Sequence, residues 1–166
     1  SINVVADSLL RLDFNKSHSS AIGASCTNFV KRGVGIFQIY YNGNTSMSLM
    51  KGACPIEVRE GCLRVNAANS NGALGDASRG YEVKVYDHAE LNLYARNAIG
   101  SGTPDVANDS VFTVYTNGIF SMATGSFNIQ ALGTLDLLGG NFVAPGNCHA
   151  LGYLLIRDRL TLGCNP

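Results

Sequence analysis

The first fourteen residues alternate between apolar and polar side chains, as in an extended strand with one buried face. Side chains of a β-strand point to its two faces in turn, so every second residue shares a face. Ser8 interrupts the apolar face, and Val5 and Leu9 stand on the polar one. The sequence therefore predicts one long amphipathic strand over 1–14, whose apolar face carries Ile2, Val4, Ala6, Leu10, Leu12 and Phe14.

Such a strand has two uses, and the sequence leaves both open. It can be the ordinary first strand of its own sheet, or it can be donated to the sheet of a neighbouring copy. An acceptor for a donated strand needs an unprotected sheet edge, and natural edges are usually protected by charge or proline. The segment 37–41 has neither, which makes it the candidate acceptor.

Alternation recurs along the chain, and no window shows the period of a helix. Asn42-Gly43 and Asn117-Gly118 lie between apolar runs, which is typical of hairpin turns. We expect roughly ten to twelve short strands and an all-β fold, with an antiparallel β-sandwich of jelly-roll type as first choice. The segment 127–131 echoes 91–95, which keeps a β-solenoid as the alternative.

Composition limits the classes of partner. The 166 residues suit a single domain, and twelve acidic side chains balance twelve basic ones. Nucleic-acid binding needs clustered Lys and Arg, which this chain lacks, so no nucleic-acid partner is expected. No apolar run is long enough for a membrane-spanning helix. No signal sequence stands at the start, so we expect one to have been removed.

Five cysteines favour an oxidising, extracellular or cell-surface location, because their spacings match no zinc or haem motif. The short-range pairs Cys54–Cys62 and Cys148–Cys164 are the candidate disulfides, although spacing does not determine connectivity. An odd count leaves one thiol over. Cys26 is the candidate for this free or intermolecular thiol.

Two polar loops, 67–80 and 100–110, are long enough to bind a ligand. Asn71, Asp76 and Asp105 are their candidate ligand-binding residues. Tyr86 and Tyr94 lie on polar strand faces, where a ring stacks against a sugar or against a neighbouring strand. The sequons at Asn15, Asn44 and Asn108 leave glycosylation open. These features give a carbohydrate-binding module as the alternative function.

Catalysis is not expected. The three histidines, His18, His88 and His149, lie in loops or turns, and no nucleophile elbow, phosphate-binding loop or metalloprotease motif is present. A Cys148–His149 pair would need a free thiolate, which a disulfide would remove. We expect no catalytic residue, no metal site and no cofactor.

One local resemblance involves the tail. Cys148 is followed by a glycine at 152, and an apolar segment leads to Cys164. This stretch resembles the cysteine-bounded C-terminal modules of minor pilins and tip adhesins of type IV pili, although the tryptophan usual after the second cysteine is absent. The resemblance covers 148–164 and implies a surface adhesin.

Together these features predict a non-enzymatic extracellular structural or adhesive protein. We expect a self-assembling filament or pilus-type subunit, joined to copies of itself through the strand 1–14 and through an odd cysteine. Surface glycans are the other expected partners, bound through the 67–80 and 100–110 loops.

Overall fold

The computed structural model describes residues 1–14, 20–22, 27–42, 48–50, 55–68, 74, 82–94, 98–99, 109–122, 129–144 and 153–163. Within these ranges the chain forms strands and no helix. The strands are, in chain order, β1 (Ile2–Asn3), β2 (Leu9–Phe14), β3 (Ser20–Ile22), β4 (Phe29–Arg32), β5 (Ile36–Asn42), β6 (Ser48–Met50), β7 (Ile56–Val58), β8 (Gly61–Ala68), β9 (Glu82–Val85), β10 (Ala89–Leu93), β11 (Val111–Tyr115), β12 (Ile119–Met122), β13 (Ile129–Leu138), β14 (Asn141–Val143) and β15 (Tyr153–Gly163).

The strands form two large parallel sheets and one small one. The seven-stranded sheet has the order β1-β4-β7-β9-β11-β13-β15, and the six-stranded sheet has the order β14-β12-β10-β8-β5-β2. Strands β3 and β6 form the third sheet. The all-β prediction is confirmed. The antiparallel jelly roll is wrong, because every pairing between these strands is parallel.

The chain winds as a solenoid, which was the stated alternative. Each of the first six coils places one strand in the seven-stranded sheet, turns a corner and places the next strand in the six-stranded sheet, and β15 begins a seventh coil. Phe29 pairs with Ile56, and Ile56 pairs with Val83, so these early coils have the same length. Further along, Val111 pairs with Thr134, which makes that coil shorter. Unequal coils therefore stack in register.

The core consists of columns of apolar side chains that run along the solenoid. In the seven-stranded sheet, one column has the fully or almost fully buried members Phe29, Ile56, Val83, Phe112 and Leu135. In the six-stranded sheet the matching column contains Phe37, Leu63, Leu91 and Phe120. Because strand side chains alternate, each strand supplies every second residue to these columns and the rest to the outer faces.

Each coil turns its corner through one left-handed residue. The residues with positive φ at these corners are Asp7, Gly33, Gly61, His88, Asn117 and Gly139. Asn117-Gly118 is therefore a sharp turn, as predicted, but not a hairpin, because it joins β11 to β12 in the other sheet. The same correction applies to 1–14. The structure divides this segment into β1 and β2, which lie in different sheets on either side of the corner at Asp7.

Lys31 occupies an inward-facing position that is apolar in the neighbouring coils. It pairs with Ile2 on one side and Val58 on the other, and its side chain is fully buried. Its Nζ donates to the carbonyl oxygens of Arg32 at 2.9 Å, Gly33 at 2.6 Å and Glu60 at 2.9 Å. An ammonium group has three donors, so all three have an acceptor. Lys31 thus ties the corners of two successive coils together.

Candidate functional surfaces

The first coil leaves apolar side chains uncovered on the outermost strand of the six-stranded sheet. Leu10 pairs with Phe37 and Leu12 with Ile39, so they extend the inner columns by one coil. Phe37 and Ile39 are each only 2% exposed, whereas Leu10 is 47% and Leu12 37% exposed. These two leucines, with the exposed Val5 and Leu9, form what we call the first-coil end.

The last coil has the same property on the seven-stranded sheet. Leu160 pairs with the buried Leu135, and Leu162 pairs with Leu137, so both extend inner columns. Leu160 is 51% and Leu162 72% exposed. Together with Phe142 and the exposed Val143 of β14, they form the last-coil end. Within the described residues, both ends of the solenoid are thus open: neither β2 nor β15 pairs with a further strand on its outer side, and their leucines are exposed.

The six predicted assembly residues do not form one apolar face. Val4 belongs to the core, and Ile2 packs against it from a half-buried position. Ala6 is exposed in the corner, while Leu10 and Leu12 lie at the first-coil end. Phe14 ends β2, but its side chain lies outside the described part of the structure. The exposed leucines of the last coil were not singled out from the sequence.

A second surface lies on the outer face of the six-stranded sheet. A groove of about 400 Å³ crosses four successive coils at the corner end of this face. Ile36 and Ile119 lie on its flanks, and Cys62, Arg64 and Glu90 lie between them. We call this surface the polar groove. Sequence analysis missed it, because its residues come from strands whose neighbours were not known.

A hydrogen-bond network continues the polar groove along the sheet. Ser121 donates its Oγ hydrogen to Glu90 Oε1 at 2.5 Å. Asn92 donates from Nδ2 to Ser121 Oγ at 2.7 Å and to Glu90 Oε1 at 3.1 Å. Arg64 is the register partner of Asn92 on β8. Arg64 Nε and Asn92 Oδ1 are buried, and neither has a hydrogen-bond partner.

Cys62 was predicted to form a disulfide with Cys54, but it carries a free, buried thiol. Burial raises the pKa of the Cys62 thiol to about 12, and the nearby carboxylate of Glu90 adds to this rise. A thiol that stays protonated is a poor nucleophile. The other four cysteines, Cys26, Cys54, Cys148 and Cys164, lie outside the described residues. Of the pilin-like segment, 153–163 is seen as β15, paired with β13.

The outer face of the seven-stranded sheet carries an aromatic stack. The rings of Tyr86 and Tyr115 lie with centroids 5.0 Å apart and planes inclined by 21°. The Arg59 guanidinium carbon lies 4.5 Å from the centroid of the Tyr86 ring. Tyr86 is therefore covered on both faces, and burial raises the pKa of its hydroxyl. Tyr94, the other tyrosine considered for sugar stacking, is 52% exposed.

Glu57 anchors the arginine of this stack. Its Oε2 accepts from Arg59 Nε at 2.6 Å, and its Oε1 accepts from Asn28 Nδ2 at 3.1 Å. Partial burial acts to raise the pKa of Glu57, but these hydrogen bonds and the positive charges of Arg59 and Lys84 together outweigh it and hold the pKa below its usual value. Because both faces of Tyr86 are in use, we assign this face a packing role.

The remaining predicted site residues fall outside the described part of the structure. These are the loop residues Asn71, Asp76 and Asp105 and the sequon residues Asn15, Asn44 and Asn108. His88 lies at a corner with its side chain 81% exposed, and its Nε2 is 3.6 Å from Asp87 Oδ1. The described residues contain no cluster of three metal-ligating side chains and no helix suited to crossing a membrane.

No protein-family model, no curated protein and no solved structure matches this chain.

Proposed function

We propose that this chain is a non-enzymatic structural subunit that assembles with copies of itself by head-to-tail stacking of its solenoid. The observation that carries the proposal is the pair of open ends. Leucines that extend the inner columns are exposed at the first coil and at the last. Further coils would cover them, and a second copy supplies such coils.

The direction of stacking follows from the topology. Strands of both large sheets are parallel, and both sheets run in the same order from the first coil to the last. The seven-stranded sheet extends one strand further than the other, so the strand-to-strand joint would form there, with edge strand β15 of one copy meeting β1 of the next. Leu10 and Leu12, on β2 of the next copy, would face β14 in the six-stranded sheet, where this offset leaves the space of one strand. By continuation of the register, Leu162 would stand beside Ile2 of the next copy, as Leu137 stands beside Leu162. Contacts between different surfaces propagate into open filaments rather than closed dimers.

The energetics favour covering these ends. Burying one leucine side chain completely is worth about 1.5–3 kcal/mol, and Leu160 and Leu162 are each more than half exposed. Backbone hydrogen bonds add to this, because an edge strand has one unpaired side. Near-zero net charge also favours association, since it removes long-range repulsion between copies.

An extracellular or cell-surface filament with an adhesive role is the setting we propose for this subunit. The free thiol of Cys62 does not support a catalytic alternative, because it is buried and stays protonated. The segment 1–14 still takes part in the proposed assembly, but in a different way from the one predicted. It contributes the stacking surface of the first coil and is not withdrawn from its own fold.

The proposal is tested by native mass from light scattering over a range of concentrations. We expect the wild-type chain to form species larger than one chain, and reductant to leave them intact. Leu162→Lys places a charge at the last-coil end and should reduce the mass to that of a single chain. Val34→Lys is the matched control, because Val34 is 65% exposed but lies at the corner of the second coil and belongs to neither end. A wild-type monomer at every concentration would contradict the proposal.

A further inference from the structure

The polar groove and the hydrogen-bond network that continues it along the sheet have features that the fold itself does not require. The outer face of a solenoid sheet can be covered entirely by solvated side chains. Here Glu90, Asn92 and Ser121 instead form a connected network, and Ser121 is only 7% exposed. Arg64, on the neighbouring strand, completes the polar row.

Two atoms of this row lack partners. Arg64 Nε is a donor, and Asn92 Oδ1 is an acceptor. Leaving a buried polar group without a hydrogen-bond partner is destabilising. The two residues are register neighbours on β8 and β10 and still do not bond to each other through these atoms. The row therefore contains, side by side, a donor and an acceptor that each lack a hydrogen-bond partner.

A hydroxyl group satisfies both requirements at once. Its oxygen accepts from Arg64 Nε, and its hydrogen is donated to Asn92 Oδ1. Both atoms are buried, so the side chains of Arg64 and Asn92 must turn outward to reach a ligand. Their unmet hydrogen bonds lower the cost of that movement.

Tyr94 adds an exposed ring to the same face. It follows Asn92 by two residues, so Glu90, Asn92 and Tyr94 project on the same side of the sheet. Its side chain is 52% exposed, and Asn66 stands beside it on the neighbouring strand by continuation of the register. A tyrosine ring is apolar on its faces and carries a hydroxyl at its edge. It can therefore pack against the C–H face of a sugar ring.

Charge narrows the class of sugar. Arg64 and Glu90 both line the groove and offset each other. An acidic sugar would meet the Glu90 carboxylate as well as the Arg64 guanidinium, so it gains little from charge. A neutral sugar needs only the hydrogen bonds and the ring.

The geometry points to a binding site for a neutral glycan on the outer face of the six-stranded sheet. Arg64 and Asn92 bind one of its hydroxyl groups, and Tyr94 packs against its ring. Its residues differ from the loop residues Asn71, Asp76 and Asp105 that were predicted to bind a ligand, and it is independent of stacking because it lies away from both ends.

The test uses immobilised short neutral oligosaccharides built from glucose, mannose, galactose, xylose or N-acetylglucosamine, alongside uronate oligomers. We expect the full chain to bind at least one neutral probe. Arg64→Met and Tyr94→Ala should each weaken that binding by about tenfold, the loss of one hydrogen bond or one ring contact. Tyr115→Ala is the matched control, because it removes a tyrosine from the opposite sheet. Leu162→Lys should also bind normally.

A second measurement separates binding from a purely structural role. Arg64→Met keeps the aliphatic stem and removes the unpaired donor, so without ligand its midpoint of thermal unfolding should equal or exceed that of the wild type. A lowered midpoint would show that Arg64 serves the fold and would overturn the proposal. Binding to uronate oligomers alone, binding to none of the probes, or neutral-glycan binding unchanged in both variants would also overturn it.

Discussion

Lys31 Nζ donates a 2.9 Å hydrogen bond to the carbonyl oxygen of Glu60, which lies at the corner of the following coil. In return, Glu60 Oε2 accepts a 2.8 Å hydrogen bond from the backbone nitrogen of Gly33. A buried lysine thus occupies a place in an apolar column and joins two corners. Burial lowers the pKa of its amine, although the nearby Glu60 carboxylate opposes this.

Lys31→Met is expected to destabilise the fold. Methionine fills much of the same volume but removes the ammonium donor from three carbonyl oxygens, of which that of Arg32 keeps the backbone N–H of Val4 at 3.0 Å. We expect the free energy of unfolding to fall by about 2 kcal/mol, measured by urea denaturation. Lys84→Met is the matched control, because Lys84 forms a surface ion pair with Glu82 at 2.9 Å. Such pairs contribute about 0–1 kcal/mol, and equal losses for the two variants would contradict this account of Lys31.

Gly61→Ala tests the corner geometry. Gly61 has a φ of 62°, and an added Cβ would lie 2.5 Å from the carbonyl oxygens of Gly33 and Gly35. Backbone atoms of a stacked corner cannot move aside without disturbing the neighbouring coil. We expect a loss of about 3 kcal/mol in the free energy of unfolding.

Gly163→Ala is the control for this substitution. A Cβ there would meet only Leu138 Cδ2, at 4.0 Å, which is ordinary contact. Its unfolding free energy should stay within about 0.5 kcal/mol of the wild type. If the Gly61→Ala variant were as stable as the Gly163→Ala variant, this would contradict the close packing of successive corners.

Cys62 should resist alkylation in the native chain. Its thiol is buried, and its pKa of about 12 leaves almost no thiolate at pH 8. Iodoacetamide labelling followed by peptide mapping should show unmodified Cys62 in native protein and modified Cys62 in denaturant. Rapid labelling of the native thiol would contradict its burial.

The same pKa gives a pH dependence of stability. A folded pKa raised above the ordinary 9.0 means that the native state keeps a proton that the unfolded state releases. The stabilising contribution is complete below pH 9 and is lost as pH rises from 9 towards 12. Cys62→Ala should remove this part of the slope when unfolding is followed by denaturant titration at several pH values. An unchanged slope in this variant would show that the pH dependence arises from other titratable groups.

Local alternation predicted the strands well. The segment 111–115, for example, is β11, with Phe112 and Val114 buried. Asn117 was correctly placed in a turn, and its φ of 57° is the conformation that Asn tolerates. The pairing partners of the strands on either side of such a turn could not be deduced, because a hairpin turn and a solenoid corner use the same types of residue. The difference lies in pairing: Val85 pairs with Val58 and Val114, not with its neighbour β10.

The repeat itself was hidden by unequal coils. The coil from Phe29 to Ile56 is longer than the one from Val111 to Thr134, so the sequence shows no fixed period and only a faint echo. The candidate surfaces were harder still. Arg64 and Asn92 become neighbours only through the register of β8 and β10, and Leu162 becomes an open end only because no described coil covers it.

The most direct test of head-to-tail stacking is photo-crosslinking from the last coil. A photoreactive benzoylphenylalanine in place of Leu162 should crosslink to the segment around Ile2 and Asn3 of a second copy, as mass spectrometry of the linked peptides would show. The same group in place of Val34 should give no link between copies. Links from position 162 to β15 of the second copy, or none between copies, would contradict the proposed assembly.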